Sequence, residues 1–155
     1  MLVDSKNLDK SYSRLMAVQV FYSLIVAENY SIEKLDENIN YFIQDAPIGK
    51  NRGVKFNSKF IKSLVLEAIQ NKEKIIETIN KFATKQASGE KVDKLIEAIL
   101  YIALAEILVF PQTPKKVLIK EYNNITSEFY NDDSVKFVNA ILNQSYPEDT
   151  SGTEE

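Results

Sequence analysis

The 155-residue chain contains no cysteine and no histidine. Those two absences remove a disulfide, a zinc finger, a haem ligand, a cysteine nucleophile, a Ser–His pair and an imidazole general base. The Glu-x-x-His pairs of di-iron helical bundles are excluded with them. Glycine and proline are scarce, at four each, which argues against an all-β chain with its many tight turns. The lack of cysteine also agrees with a cytoplasmic location, where disulfides are rare.

Membrane-spanning runs are missing too. Residues 15–27, LMAVQVFYSLIVA, follow Lys6, Lys10 and Arg14 in the outline of a signal peptide. Asp4 and Asp9 spoil the basic region, however, and Gln19 interrupts the apolar one. The stretch is also too short to cross a bilayer. Residues 95–110 are longer but carry Glu97 and Glu106, each costly in hydrocarbon. A helix buried in protein fits them better. The expectation is a cytoplasmic protein with no membrane segment.

What remains has ordinary soluble proportions, 45% hydrophobic and 26% charged, in a length that suits one domain. The net charge of −3 speaks against nucleic acid when taken alone. Its distribution is uneven: residues 51–94 hold 10 basic and 5 acidic side chains, residues 95–155 hold 4 and 10. Four of those last acids, Glu148, Asp149, Glu154 and Glu155, lie beyond Pro147, and without them the body is +1.

Apolar residues recur at helical spacing almost throughout. Leu15, Val18, Tyr22 and Ile25 predict a helix over 11–28. Ser31 can cap a second, carrying Leu35, Ile39, Phe42 and Ile43. Pro47 to Gly53 reads as an exposed loop. The spacing resumes through Phe60, Leu64, Ile69, Ile75, Ile79 and Phe82 to about Lys85, and Ser88-Gly89 is a second break. Residues 92–110 are apolar on both faces, which belongs in the middle of a domain. Thr113 as N-cap and Pro114 at the first helical position start the next helix, to about Phe129. Asn131-Asp132-Asp133 caps the last, with Val135, Val138, Ile141 and Leu142. The fold class expected is all-α with seven helices and no β-sheet. The domain is 1–146, with an N-terminal half over about 11–87 and a C-terminal half over about 88–146. Residues 147–155 read as an acidic disordered tail.

No catalytic apparatus emerges. Glu97 and Glu106 are nine residues apart, about 180° around a helix, and cannot share a site on one face; a buried hydrogen bond or a helix edge accounts for each. Gly49 to Gly53 lacks the phosphate-loop spacing and a preceding strand. Asp132-Asp133 is too short for a calcium loop. One pair does break a local rule. Lys115 and Lys116 open a helix where the dipole disfavours cations, and free N–H groups beside two ammoniums suit a phosphate, although two solvated lysines are the plainer account. Lys136, Phe137 and Asn139 then bring charge, ring and amide to the start of the last helix, the means of holding single-stranded RNA. Phe137 at helical spacing is equally a core residue.

Pro114-x-Lys116-Val117-x-Ile119-x-Glu121, followed by Asp133-Ser134-x-Lys136-Phe137-Val138-Asn139-x-Ile141-Leu142, resembles the C-terminal signature of the transcription antitermination factor family NusB. Arg14-x-x-Ala17-Val18-Gln19-x-x-Tyr22 resembles the family's first helix, and Ile99-Leu100-x-Ile102-Ala103-x-x-Glu106 its central one. The resemblance implies two small helical bundles packed together and a non-enzymatic, cofactor-free RNA-binding factor. It further implies pairing with NusE, a small-subunit ribosomal protein, binding to boxA RNA in nascent transcripts, and suppression of premature termination by RNA polymerase, notably in ribosomal RNA operons. RNA-binding candidates are Lys10, Arg14, Tyr22, Lys115, Lys116, Lys136, Phe137 and Asn139. Partner-binding candidates are Asp133 and Glu106. Monomer and homodimer both remain open. The chain departs from the family pattern in lacking an arginine-rich stretch before the first helix. Tyr101 stands where Arg is common, Ile96 where an acid is usual and Ala140 where Gly is usual. A helical interaction module that has weakened or lost RNA binding is the alternative these departures raise.

Overall fold

Asn57, Asp93 and Asn131 each stand immediately before a helix. Their side chains accept a hydrogen bond from the first turn, from the N–H of Phe60 at 3.0 Å, Leu95 at 3.2 Å and Ser134 at 3.4 Å. Such caps satisfy donors that a helix start otherwise leaves bare. A computed structural model describes residues 5–46, 53–85 and 92–146, and among these all regular structure is helical. The elements are α1 (Ser5–Ala27), α2 (Leu35–Asp45), α3 (Ser58–Gln70), α4 (Lys72–Lys85), α5 (Lys94–Val109), α6 (Lys115–Phe129) and α7 (Asp132–Ser145).

The central element is α5. Every residue from Ala98 to Glu106 is buried, and α1, α3, α4, α6 and α7 all pack on it. An apolar sequence with no polar face can satisfy the hydrophobic effect only this way. Met16, Val20 and Phe21 of α1, Ile61 and Leu64 of α3, and Leu118 and Tyr122 of α6 complete the core. The last two helices, α6 and α7, form a tight hairpin around Tyr130 and Asn131. The break between α3 and α4 is a single residue. Asn71 ends one helix by donating its N–H to the Glu67 carbonyl at 2.9 Å, and opens the next by accepting from the Ile75 N–H at 2.9 Å.

Three boundaries differ from the periodicity reading. The first helix begins at Ser5, six residues before the apolar pattern does. Ser31 is not the cap of α2: its N–H is held by the Asn29 side chain at 3.1 Å in a turn, and α2 starts uncapped after Lys34. Thr113 is not the cap of α6. The helix starts at Lys115 after Pro114, and the Thr113 hydroxyl instead lies 3.3 Å from Glu106 Oε2. The loop over 47–52, the break at Ser88-Gly89 and the tail from Pro147 lie outside the described residues. No described helix is long and apolar enough to cross a membrane.

The end of α1 carries a conformational cost. Glu28 has φ +53°, with its N–H on the Ile25 carbonyl and the next N–H, of Asn29, on the Leu24 carbonyl. This is the Schellman closure, which normally places glycine at the left-handed position. Exposed Glu28 adopts it against its Cβ. Replacing Glu28 by Gly should therefore raise stability by about 1 kcal/mol, read as a higher urea midpoint with unchanged slope.

Candidate nucleic-acid interface

The guanidinium of Arg14, on α1, grips Glu106 of α5 bidentately, through Nε to Oε1 at 2.9 Å and Nη2 to Oε2 at 2.7 Å. Its third nitrogen, Nη1, reaches Oε1 of Glu121 on α6 at 2.9 Å. The hydroxyl of Tyr122 donates to Glu106 Oε1 at 2.6 Å, and that of Ser11 donates to Glu121 Oε1 at 2.6 Å. Arg14 is 4% exposed and Glu106 0%. Burial alone would weaken the Arg14 charge, but the hydrogen bond and attraction of Glu106 outweigh it and hold the group protonated more firmly than usual. Tyr122 is shifted far upward by burial and then by the adjacent Glu106 carboxylate. Arg14 and Glu106, expected at an RNA surface and a partner surface, thus sit inside the molecule and lock three helices together. Neither offers an atom to a macromolecule without breaking a buried ion pair.

The exposed candidates are distributed around that lock. Lys10 stands exposed on α1, its Nζ 5.4 Å from the centre of the Phe60 ring. Twelve residues along, about 18 Å by helical rise, Tyr22 is 38% exposed. Beside it lies Tyr130, whose hydroxyl donates to the Asp93 carboxylate. Burial, and next the Asp93 bond and charge, hold the Tyr130 phenol above its ordinary range. Glu97, in the first turn of α5, is also raised by burial, with Lys94 pulling it back and Asp93 adding to the rise. Asp133 is exposed in the first turn of α7.

Lys136, Phe137 and Asn139 do not form the single surface expected of them. Phe137 and Asn139 point about 160° apart around α7. Phe137 packs half-buried on the core, whereas Asn139 turns to α6 and accepts from Asn123 Nδ2 at 3.0 Å. Lys136 is exposed and shares the Asn139 side of the helix. A groove of about 590 Å³ opens between α6 and α7, lined by Lys115, Lys116, Ile119, Lys120, Asn123, Asn124 and Asn143. Lys120 and three of these asparagines escaped the sequence reading. Their signal was present as the four-residue spacings Lys116–Lys120 and Asn139–Asn143, which place each pair on one helix face.

The sequence pattern of the NusB family matches residues 11–147. The chain belongs to the NusB family. It is similar to the transcription antitermination protein NusB of Rickettsia felis (strain ATCC VR-1525 / URRWXCal2), 30% identical over 139 residues, covering 87% of this chain and 89% of that protein. The NusB of Rickettsia massiliae (strain Mtu5) is 29% identical over 145 residues, covering 91% and 93%. That of Rickettsia bellii (strain OSU 85-389) is 30% identical over 141 residues, covering 87% and 88%. The all-helical fold is the NusB fold, and the family is a non-enzymatic one.

Two outcomes follow from the buried network. Arg14→Met leaves Glu106 charged and unpaired in the core, so it should cost about 3–5 kcal/mol in urea unfolding, and Arg14→Lys should recover little because it lacks the planar fork. In alkali, Tyr122, Tyr101 and Tyr130 are held protonated above the ordinary value of 10.0, chiefly by burial. The unfolded chain loses those protons first, so stability should fall as pH rises through 10 and be unaffected by them below it. Absorbance at 295 nm should show these phenols ionising together with the loss of helical circular dichroism, after the exposed tyrosines.

Proposed function

We propose that this protein is a transcription antitermination factor that pairs with NusE, the small-subunit ribosomal protein, and binds boxA-type single-stranded RNA in nascent transcripts. In that role it joins the antitermination complex on RNA polymerase in the cytoplasm and helps it pass early terminators, notably in ribosomal RNA operons. The observation that carries this reading is the match to the NusB family over residues 11–147, with relatives of nearly equal length named as antitermination proteins. Exposed Lys10, Lys115, Lys116 and Lys136 supply phosphate contacts, and exposed Tyr22 supplies a face for a base. Asp133 is the candidate left for the NusE side, Glu106 being internal.

A second reading has a specific observation behind it. Of the two arginines, Arg14 is committed to Glu106 and Glu121. The exposed cations described are therefore lysines, which neutralise phosphate without a bidentate fork. A NusB-fold interaction module that has weakened or lost RNA binding fits that inventory.

A gel shift with boxA RNA, with and without NusE, at roughly 50 and 200 mM salt separates the two. The antitermination reading expects a shift that needs both proteins and weakens with salt, and micromolar or weaker affinity for this protein alone, given about three or four cationic contacts. A NusE complex that ignores RNA at both salts selects the interaction module. Lys116→Glu combined with Lys136→Glu should abolish RNA retention while leaving NusE binding and the thermal midpoint nearly unchanged.

A further inference from the structure

The last described residue stands at the edge of a basic surface. Tyr146 closes α7 with extended backbone, φ −77° and ψ 144°, as suits a residue that precedes proline. Its ring packs on the core and lies against Lys115, whose Nζ is 5.5 Å from the ring centre. The residues after it therefore emerge beside Lys115, at the mouth of the α6–α7 groove. Lys116 and Lys120 continue along the α6 wall, and among the described residues none lining the groove is acidic. Glu121, next to Lys120 in sequence, turns away to α1 through Ser11 and Arg14.

The sequence that follows Tyr146 is opposite in charge. Residues 147–155, PEDTSGTEE, carry four acids, no cation and, Pro147 apart, no apolar side chain. The NusB family pattern ends at residue 147, so the four acids lie beyond it. Nine residues reach about 30 Å when extended. Glu148 and Asp149 come two and three residues after Tyr146, within reach of Lys115 and Lys116. Glu154 lies six residues beyond Glu148, about 20 Å of extended chain. The Asn123–Asn139 pair sets the register of the hairpin and puts Lys136 about 15 Å along the groove from Lys116. Two acidic pairs thus match the basic stations in spacing as well as in sign.

We propose that the acidic segment 147–155 lies back along the α6–α7 groove, with Glu148 and Asp149 on Lys115 and Lys116, and Glu154 and Glu155 toward Lys120 and Lys136. Each exposed ion pair is weak by itself. Tethering makes the encounter intramolecular, at an effective concentration in about the millimolar range for so short a connection. Several weak pairs then act together. A second groove, bordered by Gln144 and Ser145, offers Lys74 and Lys81. Its floor is dominated by Ile75, Leu104, Ile107 and Leu108, which suit apolar side chains that the segment lacks. The α6 side is therefore the one favoured. One consequence rests on the RNA-binding reading above: the docked segment occupies phosphate positions, and RNA must displace it to bind.

The test uses the full chain, whose lack of cysteine lets Thr153→Cys carry a single nitroxide. Amide signals of Lys115 to Asn124 should broaden strongly, and those of Lys72 to Lys81 should not. Neutralising the acids (Glu148→Gln, Asp149→Asn, Glu154→Gln and Glu155→Gln), or raising salt from roughly 50 to 500 mM, should remove the effect. Broadening that is equal on α4 and α6, or unchanged by neutralisation, overturns the proposal. Broadening centred on Lys74 and Lys81 gives the segment to the other groove and also overturns it. So does broadening seen only between molecules, in a mixture of nitroxide-labelled and isotope-enriched chains, which would assign the contact to a second copy. The second measurement is affinity for boxA RNA with NusE present. The neutralised variant should bind about threefold tighter or more, the factor for a segment docked in two of three molecules. That gain should vanish when Lys116→Gln and Lys120→Gln are added. An equal gain in both backgrounds reports net charge alone and overturns the competition. If no variant retains RNA, the RNA reading itself fails, and the nitroxide measurement decides the contact without it.

Discussion

One guanidinium organises this molecule. Arg14 is gripped by carboxylates from α5 and α6, and the same Glu106 accepts the phenol of Tyr122. An ion pair this deep adds little net stability over an apolar substitute, because desolvation offsets attraction. What it contributes is register. Five hydrogen bonds of fixed geometry set how far α1 slides along α5 and how α6 rolls against both. Apolar packing alone tolerates such shifts more readily. The exposed residues on these helices inherit their positions from that lock: Lys10 is one turn before Arg14 and Tyr22 two turns after it, while Lys116 and Lys120 precede Glu121 on α6.

The hairpin of α6 and α7 shows how a surface with chemical character arises from ordinary helical spacing. Leu118, Tyr122, Ile125 and Thr126 take one side of α6 inward, and Val138, Ile141 and Leu142 do so on α7. The residues left facing along the seam between them are, Ile119 apart, lysines and asparagines. Their amides partly satisfy one another, as Asn123 does with Asn139 and as Asn143 does with the Asn139 carbonyl. A seam closed by leucines would be dry and shut; this one ends in ammonium and amide groups and stays open.

The number and order of helices were legible in the sequence because apolar periodicity, the proline breaks and the Asn131 cap agree with one another. The buried centre was legible for the same reason, residues 92–110 having no polar face to expose. Site residues were less so, and the reason differs for each. Arg14 reads as a surface cation because nothing local announces that Glu106 and Glu121, 92 and 107 residues away, will enclose it. Thr113 looks like a cap until Glu106 competes for its hydroxyl. Lys136, Phe137 and Asn139 are neighbours along the chain, but a 100° step per residue sends ring and amide to different sides. Tyr101, standing where the NusB pattern commonly has arginine, packs its ring 4.8 Å from that of Phe21. That departure has become part of the core.

The distance in sequence across the Arg14 lock also sets a clock. Protein synthesis adds about 5–20 residues per second. Arg14 and the apolar face of α1 therefore leave the ribosome roughly 5–20 seconds before Glu106 does, and Glu121 follows still later. During that interval Met16, Val20 and Phe21 lack the α5 surface that α1 later packs on. The first of the described helices to be made is among the last to be secured. A nascent chain thus exposes an amphipathic α1, with Arg14 unpaired near its middle, until the C-terminal half arrives, which makes α1 a segment for a chaperone to cover.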